Sequence, residues 1–424
     1  MPGSNILRCI LEHGRIVAEE ARTHNIRAGR HPLRAKNWPQ LAETGTVIGM
    51  EKRVTIYDIA AALDVSVGTV HRAMNDRGGV SAMTRARVLQ MAEKMGYRPN
   101  LAAKYLSTRR DLVFCVNLPH EPSNFYGPVR AGIEDEAAPF RMAGVTLHFR
   151  FFPRLGVGEE EAFEQALEEK ADGIIVVPGP AGRLKPLIRR AAREKIPVVC
   201  LINDGPGTEK LTTVSVDTAA SGALAAELLG RLIHGEGRVA ITLGDLSVAD
   251  HSEKFEAFSA TMREMFPAIT VDPPVENHES ADEAYSRTLK YLQKNPPVKG
   301  LYVCTGNGEP VLRAVEEAGR MGGLTIFTTN LYTELVPRLT SGAVTGTIYE
   351  RPYSQGRIAF RTLHEYLLQN TVPTMRLMLD PVLVMKSNLA RVIRRVGGNL
   401  HVNGSPVEGP GPNETMVDYI VEQR

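Results

Sequence analysis

Thr55-Ile56-Tyr57-Asp58-Ile59-Ala60-Ala61-Ala62-Leu63-Asp64-Val65-Ser66-Val67-Gly68-Thr69-Val70-His71-Arg72-Ala73-Met74 decides how the front of this chain is read. Apolar residues at 56, 59, 60 and 63 repeat with the period of a helix. Thr55 opens that run with Asp58 three residues on, the spacing of a capping box. A second helix is predicted over residues 66–74, with the Ser66 hydroxyl as its N-cap. Only Asp64 and Val65 separate the two. A third helix is predicted over residues 81–95, capped by Ser81 and stopped by Gly96. Ile56, Ile59, Ala60, Leu63, Val65, Val70, Val88, Leu89 and Met91 are the expected mini-core. Two helices joined by so tight a turn and braced by a third make a helix-turn-helix.

Charge around this stretch points the same way. Residues 51–110 carry eleven Lys/Arg against five Asp/Glu, while the whole 424-residue chain nets only +2. Residues 1–50 net +3, so residues 111–424 net −7. A basic head on an acidic body is the pattern of a phosphate-binding surface, which the total conceals. Upstream, residues 1–50 show no sustained period and are broken at Pro32 and Pro39. They are expected to be a poorly ordered extension, with Met50 as a natural start.

Downstream, residues 99–110 read as a hinge or linker, because the Leu101–Leu106 stretch is too short to be a stable helix alone. From Leu112 the pattern changes. Apolar, β-branched runs at 112–118, 145–151, 173–177, 197–202, 238–243, 300–304, 325–329 and 345–349 alternate with helical patterns. The helical patterns cover 159–169, 219–233, 253–266, 281–295 and 309–319. This predicts an α/β domain over 111–395, built as two doubly wound lobes with parallel sheets. Residues 396–424 lose periodicity and read as a loose tail. Cys9, Cys115, Cys200 and Cys304 have no metal-ligand spacing, so buried free thiols and a reducing cytoplasm are expected. No apolar run approaches the roughly 20 residues of a membrane span. Gly156-Val157-Gly158 and Gly235-Glu236-Gly237 read as turns, not nucleotide fingerprints. Neither catalysis nor a cofactor or metal is expected.

Residues 53–110 resemble the DNA-binding head of the lactose-repressor (LacI/GalR) family. The likeness is carried by Val54–Ala60, Val65–Asn75, Val80–Arg85 and Gly96–Asn100. Residues 111–395 resemble that family's effector domain, a two-lobed fold similar to the type I periplasmic binding proteins. Gly173–Pro178, Thr305–Asn307 and Gly346–Pro352 carry this second likeness. The resemblance implies a transcription regulator, and in many cases a repressor, that pairs double-stranded operator DNA with a small-molecule effector. It implies a homodimer as well. Membrane partners are not expected. A solute-binding transport protein shares the two lobes but has no use for a basic helix-turn-helix. An enzyme on the same fold is the third reading, with no motif to support it.

The resemblance puts Val67, Gly68 and Arg72 at base-reading positions, with Arg72 able to grip guanine bidentately or to pair with phosphate. Thr55, Ser66, Thr69, Asn75, Ser81 and Thr84 are expected phosphate anchors, caps, or both. His71 stands where many relatives have Ser. Leu106 matches the leucine that relatives wedge into the minor groove, with Asn100 and Ala103 beside it. In the effector domain, ligands of doubly wound folds bind at the carboxyl ends of the strands. His120, Asn124, Phe125, Tyr126 and Asp250 fall there, the two aromatics as a stacking wall. By resemblance Lys254, Asn307, Asn330 and Glu350 occupy ligand positions. Lys254 replaces the usual Arg and Asn330 the usual Asp, which argues against a standard pentose or hexose. The expected effector is a sugar, sugar acid, cyclitol or polyol.

Overall fold

A computed structural model describes residues 54–74, 79–95, 111–294 and 298–396, with short strand pieces at 401–402 and 405–406. The chain divides into two compact units, Met1–Pro99 and Asn100–Arg424.

In the first unit, helix α1 (Ile56–Leu63) starts on the expected capping box, with the Asp58 carboxylate accepting from Thr55 N–H at 2.7 Å. Asp64 closes it in the left-handed region at φ 52°, its N–H returning to the carbonyls of Ala60 and Ala61. That single residue reverses the chain within the space of a two-residue turn. Helix α2 (Val67–Met74) and helix α3 (Ala82–Lys94) complete the motif. Ile59, Ala60, Val70, Ala73, Val88 and Ala92 form the buried centre. Leu89, expected inside, is 44% exposed. The inward stripe of α3 runs through Val88, Met91, Ala92 and Met95, and a residue one step past Val88 is turned about 100° away.

The second unit opens with a Rossmann-like lobe. Strand β1 (Leu112–Pro119) leads into α4 (Ser123–Ala137) and β2 (Val145–Phe152). Then follow α5 (Glu159–Glu168), β3 (Gly173–Val176), α6 (Lys185–Arg193), β4 (Val198–Leu201) and β5 (Thr212–Val216). The chain next passes into a second lobe through α7 (Thr218–Leu232). That lobe contains β6 (Gly237–Leu243), α8 (Ala249–Met265), β7 (Ile269–Val271), β8 (Val275–Glu276) and α9 (Ala281–Lys294). It continues with β9 (Gly300–Cys304), α10 (Gly308–Glu317), β10 (Thr325–Thr329), α11 (Leu335–Ser341) and β11 (Gly346–Tyr349). Helix α12 (Pro352–Gln369) returns to the first lobe and packs on α4, and β12 (Arg376–Leu379) joins its sheet. A third crossing delivers β13 (Val382–Val384) and α13 (Lys386–Val396) to the second lobe.

The first sheet is parallel throughout, in the order β12-β5-β4-β3-β1-β2. The second runs β13-β11-β10-β9-β6-β7, with β8 also on β6 and only β13 antiparallel. Each sheet is covered on both faces by separate apolar clusters, so its central strands are buried from end to end. Glycines let the helices that cross between lobes seat closely. A Cβ on Gly356 of α12 would lie 2.1 Å from the Val129 carbonyl of α4, and one on Gly222 of α7 would lie 2.2 Å from the Lys254 carbonyl of α8. Cys115, Cys200 and Cys304 are buried free thiols. Gly156, Gly158 and Gly235 have positive φ, as turns require. No helix among the described residues is long and apolar enough to cross a membrane.

Candidate ligand cleft and DNA-contacting helix

Helix α2 presents Gly68, His71 and Arg72 on its exposed side, with Val67 and Thr69 half-buried. The hydroxyl residues around it act as caps. Thr55 Oγ1 donates to Asp58 at 2.7 Å, and Ser66 Oγ accepts from Thr69 N–H at 3.1 Å and touches Thr69 Oγ1 at 2.8 Å. Ser81 and Thr84 repeat the arrangement at 3.2 and 2.9 Å at the start of α3. Ser81 and Ser66 lie at exposed helix N-termini, where N–H groups also suit phosphate oxygens. Asn75, Asn100, Ala103 and Leu106 lie outside the described residues, as do the extension 1–50 and the hinge 99–110.

The second unit holds a cleft of about 430 Å3, counting the space at its mouth, at the carboxyl ends of β4, β9, β10 and β11. Pro122, Phe125, Tyr126, Leu155, Ile202 and Asn203 line it from the first lobe, and Asp250, His251, Lys254, Glu279, Thr305, Thr329, Asn330 and Glu350 from the second. One wall is therefore largely apolar and the other ionic. Lys254 Nζ sits 2.7 Å from Asp250 Oδ2 and 2.6 Å from Glu350 Oε1, with all three side chains no more than 8% exposed. Burial pushes the Lys254 ammonium down, but the two carboxylates outweigh it and hold the group charged. Burial lifts Glu350 above the usual carboxylate range even against Lys254. Asn330 fixes Glu350 from both ends, donating to its Oε2 at 3.2 Å and accepting its backbone N–H at 3.0 Å. To do so Asn330 sits at φ 65°. Ile202, at φ 68°, is more strained, since a β-branched side chain strongly disfavours that region. Strained backbone concentrated on a cleft is a mark of a functional site.

At the lobe crossing, Arg376 of β12 reaches Asp204 at 2.6 Å and Glu253 of α8 at 3.4 Å, tying the two lobes together. Burial would raise Asp204, but hydrogen bonds from Thr213, Arg376 and Lys210 bring it down to about 2.

Residues 55–100 match the family described as bacterial regulatory proteins, lacI family, and residues 114–371 match the periplasmic binding protein domain. The chain is a LacI-family transcriptional regulator. It is 27% identical over 246 residues to the HTH-type transcriptional regulator DegA of Bacillus subtilis, covering 58% of this chain and 71% of DegA. It is 26% identical to catabolite control protein A of Priestia megaterium over 75% of this chain and 94% of that one. Among solved structures, a glucose-galactose binding protein from Geobacillus stearothermophilus, GanP, superposes with a TM-score of 0.61 at 24% identity, over 66% of this chain and 99% of that one. A solute binding protein from Bacillus halodurans with bound myo-inositol gives 0.60 at 16%, over 66% and 97%. These two show the fold.

In this LacI-family regulator Phe125, Tyr126, Asp250, Lys254, Asn330 and Glu350 come together on the cleft. Three other expected residues do not line it. His120 is exposed, hydrogen-bonded to Glu121 at 3.2 Å and edge-on to Phe151. Asn124 is exposed at the rim, its amide 3.5 Å from the Gly306 carbonyl of the opposite lobe. Asn307 is buried behind Gly306, its N–H donating to Thr305 Oγ1 at 3.2 Å and its side-chain amide nitrogen without a hydrogen bond. Asp217, also at a strand end, serves as the N-cap of α7. Sequence reading missed Leu155, Ile202 and Glu279 as cleft residues. Glu279 sits in a loop with no period, at φ 57°, and only the tertiary fold brings it in.

Proposed function

We propose that this regulator works as a cytoplasmic homodimer whose hold on palindromic operator DNA is set by a sugar-like or polyol molecule bound in the cleft. The observation that carries this reading is the cleft itself. It lies at the strand ends of two lobes, pairs an apolar wall with a buried polar one, and contains strained residues on both sides. The sugar-binding folds it shares, and the glucose-galactose and myo-inositol named for those neighbours, support a polyhydroxylated ligand.

In this reading Gly68 lets the backbone of α2 approach the bases and Val67 meets a thymine methyl. Arg72 grips a guanine. Ser66, Thr69, Ser81 and Thr84 add phosphate contacts to their capping work, with Thr55, His71 and Asn75 beside them. Two copies read inverted half-sites, because a twofold dimer demands them. The 100–107 segments order on DNA, and Leu106 wedges the minor groove with Asn100 and Ala103 beside it. Ordering that segment costs roughly 1–2 kcal/mol per residue, so its equilibrium is easily tipped by ligand closure.

A thermal-shift screen of sugars, sugar acids, cyclitols and polyols tests the proposal. A ligand should raise the melting temperature of the wild type but not of Asn330→Ala. Stabilisation that persists unchanged in Asn330→Ala would place the ligand elsewhere.

A further inference from the structure

The charges on the cleft do not balance within the protein. Among its lining residues Asp250, Glu279 and Glu350 are acidic, Lys254 is the sole Lys or Arg, and His251 stands beside them. Lys254 is already committed to Asp250 Oδ2 and Glu350 Oε1. Three buried carboxylate oxygens on the cleft have no hydrogen bond; Glu350 Oε1 has the Lys254 ion pair, which leaves Asp250 Oδ1 and Glu279 Oε1, on side chains 8% and 5% exposed. His251 is the nearest partner: its Nδ1 accepts from the Asp245 N–H at 3.1 Å, and its Nε2 stands 3.5 Å from Glu279 Oε1, an ion-pair contact without a hydrogen bond. Asp250, Glu279 and Tyr126 line the same cleft, and burial pushes the Glu279 carboxyl up. Buried acceptors left without donors are costly.

We infer that the effector is a polyhydroxylated ring bearing a protonated amine, an amino sugar or aminocyclitol, with the ammonium held by Asp250 Oδ1 and Glu279 Oε1. This rests on the reading of the cleft as the effector site. An ammonium supplies three donors and cancels the surplus negative charge, where a hydroxyl supplies one donor and cancels none. Phe125, Leu155 and Ile202 on the facing wall suit the carbon face of the ring. Anionic relatives are turned away. No arginine lines the cleft, and the N-termini of α8 and α4 beside it already carry protein carboxylates. Asp250 lies in the first turn of α8, and Glu121 accepts from Ser123 N–H at 3.0 Å at the start of α4.

The test is calorimetric titration of the full chain with D-glucosamine, D-galactosamine, D-mannosamine and an aminocyclitol. Each is compared with its neutral parent, its N-acetyl derivative and, for the hexoses, its uronic acid. At least one amine should bind tenfold or more tighter than its neutral parent and N-acetyl form, with no measurable binding of the acid. Glu279→Gln should erase most of that tenfold preference while its melting temperature stays near the wild type's. A neutral or acidic member binding as tightly as the amine, with the binding lost in Asn330→Ala, would overturn the amine and keep the cleft as the effector site. An amine preference unchanged in Glu279→Gln would overturn the assigned subsite. Binding by no member would overturn the inference, and if the wider sugar and polyol screen also failed, the cleft reading would fall with it.

Discussion

Replacing Lys254 with Met removes a buried ammonium while keeping its length and most of its volume. The variant leaves Asp250 and Glu350, both under 10% exposed, with their shared cation gone. Breaking a buried pair by deleting one partner costs about 3–5 kcal/mol, because the remaining charge is stranded in low dielectric. At about 2–4 °C per kcal/mol for a domain of this size class, the melting temperature should drop by about 6–20 °C at pH 7.5. The loss should shrink at pH 5. Burial already lifts Glu350 above the usual carboxylate range, and without Lys254 it takes up a proton more readily, which relieves the stranded charge. The double variant Lys254→Met with Glu350→Gln should recover part of the loss at pH 7.5. Thermal melts of the three proteins at the two pH values make the assay. A Lys254→Met melting temperature within 2 °C of wild type at pH 7.5 would show that the ion triad is open to water, and the account of a desolvated polar wall would fail.

Three further outcomes are expected. Gly356→Ala should destabilise by about 1–3 kcal/mol in urea unfolding, since its Cβ would meet the Val129 carbonyl at 2.1 Å and two helix backbones must part. His364 is buried among Phe114, Phe140 and Phe360, and burial brings its imidazole down to about 4. The unfolded chain therefore binds this proton first, so stability is complete above about pH 6.5 and falls by about 3 kcal/mol towards pH 4. His364→Phe should flatten that part of the urea-midpoint profile, and an unchanged profile would count against it. Arg72→Ala should cost about 1–3 kcal/mol on the operator and relax preference at one base pair per half-site. An equal loss on every sequence in a binding-selection assay would make Arg72 a phosphate contact.

The head was legible because its signals are local. Capping hydroxyls at 55, 66 and 81 and the apolar spacing around Ile59 and Val70 each report within a few residues. Leu89 misled because apolarity alone does not say which side of a helix faces inward. In the effector domain, strands buried on both faces announced themselves as unbroken apolar runs, as at Leu112–Leu118. Strand β5 did not, since Thr212, Thr213 and Ser215 read as polar although all are buried. Helix α12 was hidden by the Pro352 that begins it, and β12 by its exposed Arg376 and Met378. The cleft was half legible. Residues that follow a strand directly, such as Asn330 and Glu350, could be placed by counting from its end. Glu279 and Leu155 arrive from irregular loops, whose course is set by packing far away in sequence.

The central claim is that occupation of the cleft changes DNA affinity. The direct measurement is fluorescence anisotropy on a selected palindromic operator, titrated with the wild type and with Asn330→Ala. Each titration is made with and without a compound that stabilises the wild type thermally. The account predicts a shift of tenfold or more in the wild-type DNA dissociation constant, in either direction, and no shift in Asn330→Ala, whose ligand-free affinity should match the wild type. A compound that binds the cleft yet leaves wild-type DNA affinity unchanged would contradict it.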